Sequence, residues 1–207
     1  MTDYVQLGFH RNRGWPWPEK SWGLSPMYGD DGWCRACGVP SHEQTGSLVL
    51  QRRGLTVSAG WVPFWQYDAY CLVNDIADEA RDRFGLGFRP VLDPRGKHLG
   101  ASQVVLQSDV VSWFSSEMIA PRITAVHGES GEACAGCGVW RWMPVSMDVL
   151  PPPPQSVLHE GRPVIVSPEW FGAGWQARRQ ILWRSDVADF LVAAAPRDFR
   201  LVEMSER

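Results

Sequence analysis

Two five-residue loops, Cys34-Arg35-Ala36-Cys37-Gly38 and Cys134-Ala135-Gly136-Cys137-Gly138, constrain this 207-residue chain more than any other feature. Each offers two thiolates at the spacing one metal ion needs. The glycine after the second cysteine can take the positive φ that closes such a knuckle. Two knuckles supply four sulfurs, the number that completes a tetrahedral structural zinc site. An ion held by Cys34, Cys37, Cys134 and Cys137 would tie together two distant parts of the chain, so the fold must bring its halves into contact. A closed four-sulfur shell leaves no position for water. The expectation is therefore structural zinc, one ion or two, and no metal-activated nucleophile.

Other cysteine chemistries fit less well. A CxxC at a strand-to-helix junction can cycle between dithiol and disulfide. Neither pair precedes an obvious amphipathic helix, and a redox enzyme usually needs one pair. Zinc deaminase chemistry requires H-x-E with P-C-x-x-C. Here the letters are Ser41-His42-Glu43, and no proline precedes either pair. The fifth cysteine, Cys71, falls in a helical pattern and reads as a small buried hydrophobe. His42 and His127 lie near the knuckles and are the candidates to replace a sulfur; with His98 and His159 they form no H-x-x-x-H pattern. There is no P-loop and no G-x-S-x-G, and Gly85/Gly87 and Gly172/Gly174 read as tight turns. No catalytic or cofactor-binding residue is assigned, and the chain is expected not to be an enzyme.

Charge narrows the partners. The net charge is −3, and no Lys/Arg run exceeds the pairs Arg52-Arg53 and Arg178-Arg179. Binding through phosphate contacts needs a basic face. A zinc-ribbon nucleic-acid module remains the alternative, because aromatic side chains can stack on bases. Met1-Thr2-Asp3-Tyr4 has neither the basic nor the apolar region of a secretory signal. No segment has the apolar length of a membrane span. These features point to the cytoplasm, where thiols stay reduced and favour metal over disulfide. The chain carries 12 Trp. They can fill the core and cover the knuckles, or form a partner-binding surface; both readings stay open.

The pattern along the chain predicts α+β architecture: short, mostly antiparallel sheets, about three helices, and two pseudo-repeated halves joined by the four-cysteine site. Tyr4 to Phe9 alternates as a strand. Ser47–Leu50 and Leu55–Ser58 are strand candidates around a turn at Arg53-Gly54. Asp68 to Phe84 has helical periodicity. Val104-Val105-Leu106 reads as a strand, followed by a helix capped by Ser108 and stopped by Pro121, then a strand over Ile123–Val126. Ile181-Leu182-Trp183, a helix over Asp186–Ala194 and a strand over Phe199–Val202 repeat that phrase. Phe84-Gly85-Leu86-Gly87-Phe88 and Phe171-Gly172-Ala173-Gly174-Trp175 match upstream. These correspondences predict a single domain over 1–207 containing degenerate halves at 30–127 and 130–204. Pro151 to Pro154 is a stiff, PPII-like connector.

The two CxxCG knuckles, the Phe84-Gly85 turn and the strand–helix phrases near Ser108 and Ser185 resemble the double-CxxCG motif family, abundant as paralogues in myxobacteria. The likeness runs from about residue 30 onward; the Trp/Pro-rich opening departs from the pattern. Some members are described as immunity proteins for swarming-inhibition toxins. The resemblance implies that the four cysteines bind metal and that the chain neutralises a cognate toxin, its protein partner.

Overall fold

The computed structural model describes residues 4–158 and 161–202. His159, named above, lies outside them. Within them the chain runs through β1 (Tyr4–Phe9), α1 (Leu24–Tyr28), β2 (Gly60–Trp61), β3 (Cys71–Val73), α2 (Asn74–Phe84), β4 (Phe88–Leu92), β5 (His98–Val104) and α3 (Ser116–His127). It continues through β6 (Gly131–Ala133), β7 (Trp140–Trp142), β8 (Val164–Val166), β9 (Trp170–Phe171), β10 (Ile181–Arg184), α4 (Ser185–Ala194) and β11 (Phe199–Val202). The fold is α+β, with four helices among the described residues where about three were expected. No helix among them is long and apolar enough to cross a membrane.

Two four-stranded sheets share one plan. Their strand orders are β2-β3-β5-β4 and β8-β10-β1-β11, and every neighbouring pair is antiparallel. In each, the second strand runs directly into a helix, β3 into α2 and β10 into α4, and the helix returns to the edge strand, β4 or β11. The remaining inner position is filled by β5 in one sheet and by the N-terminal β1 in the other. A smaller sheet, β6-β7-β9, holds the one parallel pairing of named strands among the described residues, β7 with β9.

The letters explain why the two strand–helix units form alike. Asn74-Asp75-Ile76-Ala77-Asp78 opens α2 and Ser185-Asp186-Val187-Ala188-Asp189 opens α4. Asp75 and Asp186 sit in the first turns, where a negative charge suits the helix dipole. Ala77 and Ala188 are fully buried, and their small side chains let each helix lie close to its sheet. Gly85 ends α2 at φ 72°, its N–H donating to the Arg81 carbonyl. The helices then meet: the Phe84 and Phe190 rings are 5.4 Å apart, and the Arg83 guanidinium lies over both. The core beneath them contains Leu7, Tyr70, Leu72, Trp183, Val187 and Phe199.

Several local expectations are corrected. The helix expected from Asp68 begins at Asn74, and Cys71 lies in β3, buried as expected but on a strand. Leu55–Ser58 forms no strand, and Val49 and Leu50 make only isolated bridges. Strand β5 ends at Val104. Ser108 caps no helix, because other parts of the chain take that segment's polar groups. Its hydroxyl donates to the Ser167 carbonyl, the Asp109 N–H donates to the Val166 carbonyl, and the Trp113 and Phe114 N–H groups donate to Glu169. The helix starts later, capped by Ser115, whose hydroxyl accepts from the Met118 N–H. Pro121 lies inside it, and Ile123–Val126 is helical. The intrahelical bond Pro121 forgoes would end on Glu117, an exposed residue near the helix start. Arg184, not Ser185, holds the N-cap position of α4. The strand–helix unit that matches β10–α4 is therefore β3–α2, with no contribution from the Ser108 phrase.

The tryptophans divide between core and surface. Trp61, Trp113 and Trp183 are fully buried, whereas Trp15, Trp17 and Trp140 are each more than two-fifths exposed. The Pro151–Pro154 connector alternates buried and exposed residues and leads into Val157 of a second core. Trp183 lies edge-on to Tyr70 at 5.1 Å, and the Tyr70 hydroxyl donates to the Leu7 carbonyl. Trp183→Ala opens a cavity where β1, β3 and β10 share one core. It is expected to lower the unfolding free energy by about 3–5 kcal/mol. The readout is a lower urea midpoint at unchanged slope; a negligible shift would show that the two sheets are not packed as one body.

Candidate metal centre

The two knuckles have the same backbone. In the first, the Cys34 N–H donates to the Val39 carbonyl at 2.9 Å and the Gly38 N–H to the Cys34 carbonyl at 2.7 Å. In the second, the Cys134 N–H donates to the Val139 carbonyl at 2.9 Å and the Gly138 N–H to the Cys134 carbonyl at 2.8 Å. Gly38 and Gly138 both adopt φ 76°. That left-handed conformation turns the chain back and aims both thiols of a loop to one side; a side chain there would be strained.

The fold brings the loops face to face. The four Sγ atoms of Cys34, Cys37, Cys134 and Cys137 all lie within 4.8 Å of one another. Cys34 Sγ is 3.7 Å from Cys134 Sγ, and Cys37 Sγ is 3.7 Å from Cys137 Sγ. Four sulfurs at about 2.3 Å from a tetrahedral zinc stand about 3.8 Å apart, so this donor set fits an ion of that size and geometry. The four can therefore hold one metal ion, with ligands drawn from both halves of the chain. Cys37 and Cys134 are buried, Cys34 is half-buried and Cys137 is exposed.

Electrostatics within the cluster are uneven. The Gly136 and Cys137 N–H groups point at Cys134 Sγ and hold its thiol down, to about 6. Burial pushes the Cys37 thiol up, and the Cys137 thiol is also raised, by partial desolvation of its sulfur among its neighbours although the residue as a whole is exposed. Four neighbouring sulfurs cannot all be thiolates without a cation among them, because like charges at this distance disfavour ionisation. A divalent ion removes that conflict and keeps coordinating thiols deprotonated.

Other candidates lie apart from the cluster. Cys71 is buried in β3, and burial alone raises its thiol pKa. His42 Nδ1 lies 2.7 Å from the Glu43 carbonyl and His127 Nε2 lies 3.0 Å from the Pro144 carbonyl; neither joins the sulfurs. His98 Nδ1 accepts from the Gly100 N–H.

Residues that seat the knuckles were not singled out from sequence. Ala36 and Gly136 occupy the same position of their loops and meet across the site. A Cβ added to Gly136 would come 3.1 Å from the Ala36 Cβ and 3.3 Å from Cys34 Sγ. Small residues at this third position let the loops approach, and comparing the two five-letter loops would have shown that both have one. The first knuckle also rests on the turn after β9: the Gly174 N–H donates to the Cys37 carbonyl at 2.6 Å. A Cβ on Gly38 would strike the Trp22 ring at 2.8 Å. Val139 and Trp170 pack beside the sulfurs. Comparison of the chain with family models, curated proteins and solved structures gave no match.

Cys134→Ser removes the sulfur that two N–H groups favour as thiolate. Metal content per chain, by elemental analysis, is expected to fall from about one equivalent to near zero, with a lower melting temperature because metal binding is coupled to folding. Unchanged metal and melting would refute a shared site. Gly136→Val keeps all four sulfurs but wedges the loops apart. It is expected to weaken zinc retention against a competing chelator about tenfold or more, since distorting the ligand geometry removes the fit.

Proposed function

We propose that this chain is a non-enzymatic, cytoplasmic zinc-binding protein of the immunity type, which binds and neutralises a cognate bacterial toxin. The observation that carries the zinc assignment is the meeting of four sulfurs from two identical knuckles at tetrahedral spacing. A shell closed by four protein ligands has no vertex for substrate or water, which fits a structural ion rather than a catalytic one. The closest sulfur contacts named above run between the loops. That arrangement favours one shared ion over two independent CxxC redox pairs.

The toxin-binding assignment rests on the resemblance to the double-CxxCG motif family, some of whose members are described as immunity proteins. It is supported by the exposed tryptophans and by a net charge of −3, which suits a basic partner. The matching knuckles and the matching β3–α2 and β10–α4 units support descent of the two halves, at 30–127 and 130–204, from one duplicated unit; β1, which completes the second sheet, lies outside both.

Co-expression with each adjacent gene product, followed by affinity purification, tests the assignment. A stable complex and restored growth of cells producing the neighbouring toxin are expected. No complex with any neighbour, together with no protection, would overturn it. Tight binding to DNA or RNA that collapses with rising salt would instead favour the nucleic-acid alternative.

A further inference from the structure

Beside the second knuckle lies an open cleft of about 870 Å³, formed where β7, β9 and the start of α3 meet. Its walls include Trp140, Trp142 and Trp170, and its acidic groups are Glu117 and Glu169. No Lys or Arg among the described residues lines it. We propose that this cleft seats an arginine side chain of a protein partner. The inference rests on the toxin-binding reading for the partner's role, but the cleft's chemistry can be tested without a toxin.

The charge beneath the cleft is built in. Glu169 Oε1 accepts from the Ser112 hydroxyl at 2.5 Å, the Trp113 N–H at 2.8 Å and the Phe114 N–H at 3.3 Å. Glu169 Oε2 is closed off from solvent and has no hydrogen-bond partner. Glu169 forms no ion pair among the described residues, and neither does Glu117 on the rim. Neutral donors thus hold a carboxylate in place without cancelling its charge, and its field favours a cation above it.

Trp140 and Trp170 give that cation its surface, with Trp142 buried against Trp140 at 5.5 Å. Aromatic faces attract cations, Trp most strongly, and a planar guanidinium also stacks on the ring. The fold already uses this contact on Trp170: the Arg179 guanidinium lies 5.1 Å from the ring, while Arg179 is bound to Asp68. Arg179 and Trp170 together line a separate cleft with Tyr28 and His42, so the Trp170 surface in the larger cleft has no such cation.

Exposed apolar residues that adjoin the lining in sequence point to a protein rather than a small cation. Val110 is 97 % exposed and Val111 57 %, immediately before Ser112; Met118 is 51 % exposed beside Glu117, and Trp140 44 %. Exposed apolar side chains around an aromatic anchor site match the composition of protein interfaces, in which Trp and Arg carry much of the binding energy.

The test uses the zinc-loaded protein and N-acetyl-arginine methylamide, with the citrulline amide as neutral isostere and tetramethylammonium as small cation. Indole N–H signals of Trp140 and Trp142 are followed by NMR. The arginine amide is expected to shift them saturably, with little response to citrulline. Trp140→Ala should weaken the response about fivefold or more and Glu117→Gln about twofold; both residues are exposed, so melting and zinc content should hold. An equal response to citrulline or tetramethylammonium, or shifts confined to Trp15, Trp22 and Trp65, which line a separate pocket, would overturn the proposal. Toxin protection separates the two readings. If the amide binds but no neighbouring toxin is neutralised, the cleft stands and the toxin reading falls. If Trp140→Ala loses the probe yet protects in full, the toxin reading stands and this docking site falls.

Discussion

Everything in this molecule depends on two knuckles closing on one another. Cys34 reaches Cys134 and Cys37 reaches Cys137, each contact spanning 100 positions of sequence. Bringing such distant segments together costs loop-closure entropy, which grows only slowly with length. A metal bound at four sulfurs offsets that cost by far more, because its binding free energy becomes folding free energy. The chain also buries aromatic cores beneath both sheets, one of them shared, so an ion held at the sulfurs would reinforce contacts that packing already makes.

The same contact explains the arrangement around it. Ala36 and Gly136 are small because the loops touch there. Trp22, Trp170 and the turn at Gly174 enclose the first knuckle, while Cys137 stays exposed. The second knuckle therefore faces outward and leads through Val139 into Trp140 and the aromatic cleft. A single segment passes from metal ligand to proposed docking surface, so an ion that orders the knuckle also orders the cleft's wall.

The cysteine cluster was legible because the constraint is local: each CxxCG declares its own geometry. Strand β1, the β10–α4–β11 unit and the α+β class were legible from periodicity and turn residues. The Ser108 phrase misled because a side chain that can cap a helix can equally bond elsewhere. There, Ser167, Val166 and Glu169 from the other end of the chain claimed its polar groups, and no local pattern reveals that. The true counterpart of Ser185-Asp186-Val187-Ala188 was Asn74-Asp75-Ile76-Ala77. It is hidden in the sequence because helical periodicity extends back to Asp68, across strand β3. The cleft also escaped, since Trp140 and Glu169 become neighbours only once β7 pairs with β9.

The order of strands carries a consequence for biosynthesis. β1 leaves the ribosome long before its partners β10 and β11. The sheet containing β3, β4 and β5 has no such wait, since its strands come from one continuous stretch. One sheet can mature during translation while the other holds β1 unpaired until β10 and β11 emerge. Such a strand is an aggregation hazard, which makes slow late assembly the vulnerable stage in the life of this protein.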